Sequence, residues 1–288
     1  MTRIGLALLG SMLVARPSTQ TDDLIPTLQR VGAHVQRYFT RAQTLICLET
    51  VRLQPLTLGL TMEGLGRNVE SELRVSWEPA GDPGTIPTAL AVRRVLKVNG
   101  HAPRKNDSGD CTDPEQNAAE THPLSVLLPG QREKYRFSVA GRGKVDGRAA
   151  LLLDFVEIAK PSVKVEAVGG RDDCISFDIN GGSRGRIWVD SESDDVLRLD
   201  TGLAGLVDVP LPDRARRNSG RDYWTVERLD SSIRFKPVSF QDPPETLMLP
   251  VSMSQLRITR GAGTPRLRTS TEYTAYRRFL TGGRVVPQ

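Results

Sequence analysis

The sequence predicts an α+β, mainly β protein: a strongly curved antiparallel sheet, an unclosed barrel, that wraps an N-terminal amphipathic helix. Three observations predict it. One apolar stripe of helical spacing stands near the start of the chain. The period of the apolar residues then falls to two and stays there. Turn signals separate the period-two runs, with no further helix alternating between them, which argues for an antiparallel meander and against βαβ units. A lone amphipathic helix and a one-sided sheet each leave an apolar face, and a sheet curved around the helix buries both.

The helix is predicted after Asp22-Asp23. Leu24, Leu28, Val31, Val35, Tyr38, Phe39 and Ala42 make its apolar face, and Pro26 falls in the first turn, where a missing N–H costs little. Arg30, Arg37 and Arg41 mostly take the other side. Strands follow over 45–53 and 69–77, interrupted by the Pro/Gly stretch 79–87, and over 92–98, which ends at the turn pair Asn99-Gly100. Residues 102–122 read as a long polar loop, and 123–128 as one helical turn. The runs 135–139 and 150–157 flank Asp146-Gly147 and predict a hairpin. Gly181 to Gly185 break the chain before strands over 186–190 and 196–201. Residues 210–221 read as a basic, Pro-containing loop. Strands over 223–229 and 233–240 are expected around a turn at Asp230-Ser231-Ser232, and 247–258 and 267–279 supply the last two.

The chain has 288 residues, 38% hydrophobic and 25% charged, the balance of a globular protein long enough to need no disulfide or metal staple. Its 39 basic and 34 acidic residues are interspersed. The Arg pairs do not form the basic stripe with interleaved aromatics that a nucleic-acid partner would need. Arg3, the apolar run 4–14 and the polar residues after Ala15 have the pattern of a signal peptide over residues 1–20, too short to span a membrane. No later segment is apolar enough to span one, and residues 22–280 read as one domain. Export fits the three cysteines: Cys111 and Cys174 lie in polar, turn-rich surroundings, and Cys47 in an apolar run. A Cys111–Cys174 bridge with Cys47 buried is the economical pairing, and three free thiols remain open on spacing alone.

No catalytic set emerges. Gly181-Gly182-Ser183-Arg184-Gly185 matches G-x-S-x-G, but a nucleophile elbow needs a helix after it, and a strand is expected there. His34, His101 and His122 have no motif partner and read as solvated or capping residues. Asp107, Asp110 and Asp113 lack the alternation, central Gly and final Glu of a calcium loop and read as solvated loop acids. Gly141-Arg142-Gly143-Lys144 lacks P-loop spacing. No cofactor or metal is therefore expected.

Several stretches together resemble a group of uncharacterised exported β-rich bacterial proteins. They are residues 69–75 (VESELRV), 94–100 (RVLKVNG), 123–128, 135–137, 185–190 (GRIWVD) and 273–279 (YTAYRRF). The hairpin that begins GRIWVD and ends VLRLD is also similar to one in periplasmic lipoprotein carriers of the LolA/LolB kind and in a sensor that regulates an anti-sigma factor. The resemblance implies an unclosed, curved sheet around a helix, with an apolar concavity that holds acyl chains. The loops at 102–122 and 214–221 depart from the pattern, and no binding residue carries over.

The function this implies is that of an exported, non-enzymatic protein that holds a lipid, a lipoprotein or another apolar ligand in the concave face. Phe39, Trp77, Trp188 and Trp224 are the candidate ligand-contact or core residues. The alternative is a structural or regulatory module that binds another envelope protein. A serine esterase using Ser183 would require a His and an acid within reach of that hydroxyl.

Overall fold

The computed structural model describes residues 24–42, 44–77, 88–107, 111, 113, 117–121, 123–168, 171–241 and 243–278, apart from the side chains of 106, 117–121, 166–168 and 171–174. The expected leader over 1–20, the stretch 79–87, Asp110, His122 and the side chain of Cys174 lie outside these. In chain order the elements are helix α1 (Leu24–Arg41), strands β1 (Thr44–Pro55), β2 (Arg67–Trp77), β3 (Thr88–Val98), β4 (Asn117–Thr121), β5 (Tyr135–Val145), β6 (Arg148–Glu157), β7 (Ser162–Val168), β8 (Arg171–Asn180), β9 (Ser183–Asp190), β10 (Val196–Leu203) and β11 (Val207–Pro210), helix α2 (Asp213–Ser219), and strands β12 (Tyr223–Gln241), β13 (Pro244–Arg260) and β14 (Arg266–Arg278). Short 3-10 turns lie at Lys105–Asp107, Pro123–Leu127 and Pro129–Lys134.

Twelve strands form one antiparallel sheet in the order β4-β3-β2-β1-β14-β13-β12-β10-β9-β6-β5, with β11 on β12. The outer strands β4 and β5 do not pair with each other, so the sheet is unclosed. Strands β7 and β8 form a separate hairpin. The alternation expected for β1 is present: Leu45, Cys47, Glu49, Val51 and Leu53 are buried on one face, and Arg52 is exposed on the other. Asp146 and Gly147 both take positive φ, 49° and 85°, the backbone of the tight turn that joins β5 to β6.

Helix α1 buries Leu28, Val31, Val35, Tyr38 and Phe39, the stripe read from the sequence. These side chains share one core with Leu45 of β1, Trp77 of β2, Leu153 and Phe155 of β6, Ile187 and Val189 of β9, Leu199 of β10, Ile233 and Phe235 of β12 and Leu249 of β13. A single helix reaches strands from most of the sheet only because the sheet curves around it. The 3-10 turns at 123–134 close the core with Leu124, Val126, Leu127 and Leu128.

Polar contacts fix the helix at two places. His34 Nε2 lies 2.8 Å from Asp195 Oδ1 and Arg30 Nε 3.1 Å from Asp194 Oδ2, both on the turn between β9 and β10. Burial opposes the Asp195 carboxylate. Hydrogen bonds from His34 and Ser193, with the charges of His34 and Arg148, outweigh it and hold its pKa below the usual carboxylate range. At the other end Arg41 and Arg278 both pair with Glu245, and the Arg278 guanidinium lies 5.1 Å over the Phe240 ring.

Four expectations need correction. Strand β12 runs unbroken through Asp230-Ser231-Ser232, because this segment pairs on both sides, Ser232 with Asp200 of β10 and with Ser254 of β13. Two ladders outweigh the local turn preference of Asp and Ser. The basic loop at 210–221 contains α2, closed by Gly220 in the left-handed region at φ 64°, whose N–H donates to the Arg216 carbonyl. It buries no side chain, so it leaves no stripe in the sequence. The loop at 102–122 includes β4, paired to β3, and Asp113 receives Arg67 at 2.6 Å from Nη2 to Oδ2. Strand β9 begins at Ser183, inside the expected break. Strands β7 and β8 add a hairpin that the sequence reading does not include.

Candidate ligand-binding cavity

The helix covers only part of the concave face. Where β1, β2, β13 and β14 run beyond it, a cavity of about 750 Å³ remains. This lies within the roughly 300–1,000 Å³ usual for small-molecule sites. Its walls are Leu45, Val51 and Leu53 of β1, Leu73 and Val75 of β2 and Leu267 of β14. Tyr38 of α1 and Trp77 bound it on the helix side. Asp178, Ile179 and Asn180 of β8 line it from the separate hairpin.

The hairpin is held there by a small second core. Val163, Val165, Phe177 and Ile179 pack on Val207, Val209, Val226 and Trp224. The cavity therefore has a frame built without α1.

Polar groups share the wall with these apolar side chains. Glu49 and Arg93 form a buried ion pair on the cavity wall, with side chains 2% and 9% exposed. Cys47 lies one step along the same face, next to Tyr276. The Tyr276 hydroxyl donates to the Pro250 carbonyl at 2.6 Å. Burial, with the Glu49 charge adding to it, pushes the Cys47 thiol up to about 12. Burial likewise raises the Tyr276 and Tyr38 phenols. At the far end of β13, Gln255 and Arg257 line the cavity beside Thr269 and Leu267, their ladder partners on β14. Burial lowers the Arg257 guanidinium pKa.

A smaller cavity of about 380 Å³ follows the seam between α1, β12 and β13. It contains His34, Arg41 and Arg148, and each is paired to a carboxylate, of Asp195, Glu245 and Asp190 respectively.

The residues singled out from the sequence fall in different places. Trp77 lines the larger cavity, with its ring 5.1 Å from that of Phe39 at an interplanar angle of 73°. Phe39 belongs to the main core behind it. Trp188 alternates with the core residues Ile187 and Val189. It packs instead with Val145, Ala150 and Leu197, and Arg198 lies 4.6 Å over its ring. Trp224 packs in the second core. Cys47 is a buried free thiol, and the bridge between Cys111 and Cys174 stays a proposal.

Ser183 opens β9, and its hydroxyl donates to Glu157 Oε2 at 2.6 Å. No helix follows it, and the two described histidines lie against Asp195 and Asp107. The glycines of the G-x-S-x-G stretch have packing reasons instead. A Cβ on Gly185 would lie 2.6 Å from Cζ of Phe155, whose ring covers that backbone. The other expected solvated residues are also engaged. His34 and His101 pair with acids, and Asp107 Oδ2 accepts the Arg104 N–H at 2.7 Å. What the sequence concealed is the polar content of the cavity. Glu49 sits at an inward position of an otherwise apolar alternation, the one local signal for it.

Fold and cavity together define a class: a curved, unclosed antiparallel sheet around one helix, with a hollow beside the helix. No protein-family model matches the chain, and no curated protein matches it. Among solved structures it is similar to an outer membrane lipoprotein-sorting protein domain from Vibrio parahaemolyticus, at 11% identity over 90% of this chain and 95% of that one, with a TM-score of 0.39. It is also similar to a DUF1329 family protein from Desulfovibrio piger, at 10% identity, 90% and 95% coverage and a TM-score of 0.38. A LolA superfamily protein from Nitrosomonas europaea is similar at 6% identity, 91% and 97% coverage and a TM-score of 0.35. These identities and scores are too low to transfer a ligand or an activity. Among the described residues no helix is long and apolar enough to cross a membrane.

Proposed function

We propose that the protein is an exported, non-enzymatic binding protein that holds a lipid or another apolar ligand in the concave face of its sheet. The observation that carries this reading is the cavity of about 750 Å³, walled by aliphatic side chains of β1, β2 and β14 and left uncovered by α1. An interior normally packs to leave few voids larger than a water. A hollow of this size, framed by its own second core, supports a binding role. A lipoprotein acyl chain fits the same chemistry. Native mass spectrometry of the purified protein tests the reading, with a bound acyl species as the expected result. Filling the hollow with Val75→Phe should lower uptake of a fluorescent acyl probe while the melting midpoint holds. Unchanged uptake would remove the cavity from the argument.

Export rests on Arg3, the apolar run 4–14 and the polar residues that follow. Amino-terminal sequencing of protein from a bacterial envelope fraction should show the first 15–25 or so residues removed. Intact Met1 in the cytosol would reject export.

A second reading, an envelope module that binds another protein, is favoured by one observation. In the loop between β1 and β2, Leu58, Met62 and Leu65 are 82%, 67% and 97% exposed. Replacing Leu58 and Met62 with Ser should abolish a site-specific crosslink from position 65 to an envelope protein. Crosslinks that form equally well in the Ser variant would count against this reading.

A further inference from the structure

We propose that the ligand is an anionic amphiphile, whose carboxylate or phosphate group is held by Arg257 while its apolar part fills the cavity. This rests on the binding-protein reading and adds the chemistry of the ligand's head. Two guanidinium groups line the cavity, those of Arg93 and Arg257. Arg93 is neutralised by Glu49, with Nε 2.7 Å from Oε2 and Nη2 3.2 Å from Oε1. Arg257 is partly buried, and among the described residues no ion pair or side-chain hydrogen bond reaches its guanidinium. Its ladder neighbours are Leu229 on one side and Leu267 on the other. The other carboxylate on the lining, Asp178, is exposed on β8 and forms no ion pair with it. A guanidinium cannot escape its charge by losing a proton at neutral pH, so a partly desolvated one without a counter-ion is held at a cost.

An anion entering with the ligand removes that cost and gains charge-assisted hydrogen bonds, which guanidinium forms with carboxylate and phosphate through a two-pronged fork. Gln255 and Thr269, one position pair along the same face, add neutral donors beside it. The aliphatic wall of Val51, Leu53 and Leu267 begins next to Arg257 and leads toward Leu45 and Trp77. Head and chain therefore have separate, contiguous seats.

The test compares three probes with one acyl chain, below their micellar concentrations, by titration calorimetry on the full chain: oleate, oleoyl lysophosphatidate and the neutral monoolein. At least one anion should bind wild type about tenfold or more tightly than monoolein, the scale of one charge-assisted contact. Oleate leading identifies a carboxylate ligand, and lysophosphatidate leading a phosphate one. Arg257→Gln should erase the preference of the anions over monoolein, and Arg257→Lys should keep part of it. Equal binding of all three by wild type overturns the assignment to an anion and leaves the cavity reading standing. A preference that survives in Arg257→Gln overturns the assignment to Arg257. Binding of none of the three overturns both. The wild-type comparison decides the question even where a variant fails to fold.

Discussion

Arg93 grips Glu49 through two contacts on the wall of the cavity, Nε to Oε2 at 2.7 Å and Nη2 to Oε1 at 3.2 Å, with both side chains nearly sealed from solvent. The pair joins β3 to β1 across β2. A buried pair of this kind adds little net stability, but breaking it leaves a charge without a partner. Glu49→Gln should therefore lose about 3–5 kcal/mol in urea unfolding, whereas Glu49→Leu combined with Arg93→Met should lie within about 1 kcal/mol of wild type or above it. A double variant less stable than Glu49→Gln would mean that the pair is a net support of the sheet.

The helix stripe gives a cleaner contrast. Phe39 sits in the main core, edge-on to Tyr38 and Trp77, while Arg37 is exposed, with its guanidinium 3.4 Å from His34 Nδ1. Phe39→Ala should cost about 3–5 kcal/mol, and Arg37→Ala no more than about 0.5 kcal/mol. Equal effects in chemical denaturation would mean that the helix does not close the core.

Gly32 lies inside α1, where alanine would ordinarily stabilise a helix by up to about 1 kcal/mol. Here a Cβ would lie 2.7 Å from the Leu127 carbonyl oxygen and would collide with the Arg132 guanidinium, because the 3-10 turns approach the helix backbone at this point. Gly32→Ala should therefore destabilise, by about 1–3 kcal/mol, as overpacking does. A raised melting midpoint would show that the turns are free to move away.

Cys47 gives a prediction in alkali. Burial and the Glu49 charge put its folded pKa near 12, above the ordinary thiol range. The folded protein then keeps a proton that the unfolded chain gives up. The associated stability is present below the unfolded pKa of about 8.5 and is lost as the pH rises toward 12. Stability of Cys47→Ala should fall less steeply than that of wild type over this interval. Parallel slopes would remove Cys47 from the alkaline transition. At neutral pH the thiol should react with alkylating reagents only on unfolding.

The proposed Cys111–Cys174 bridge would tie the segment between β3 and β4 to β8, next to the cavity. Non-reducing peptide mapping should recover the two as one linked species, with Cys47 alkylated only after denaturation. Quantitative alkylation of all three thiols in native protein would reject the bridge.

The sheet and its helix were legible because their signals are periodic. The stripe from Leu28 to Phe39 and the alternation from Leu45 to Leu53 specify faces, and two opposed apolar faces imply a wrap. The interruptions were not. Ser231 and Ser232 look like a turn in isolation, and only their partners on β10 and β13 make them strand. Helix α2 has no buried face to leave a pattern. Composition marks the tryptophans but not their direction, and Trp188 lies on the opposite face from Ile187 and Val189, apart from Trp77. Arg257 is one of many arginines in the sequence, and what distinguishes it, the absence of a pairing side chain among the described residues, is a property of three dimensions only.

The pairing of β1 with β14 also constrains when the protein can work. Arg278 donates to the carbonyl of Arg41, 237 positions earlier in the chain, and Leu53 lies opposite Thr269. Bringing such distant segments together carries a closure entropy that local contacts cannot offset, and topologies of this kind fold in roughly milliseconds to seconds, not microseconds. Both strands form the cavity wall. The hollow does not exist on a nascent chain, and nothing can enter it until the last strand has arrived.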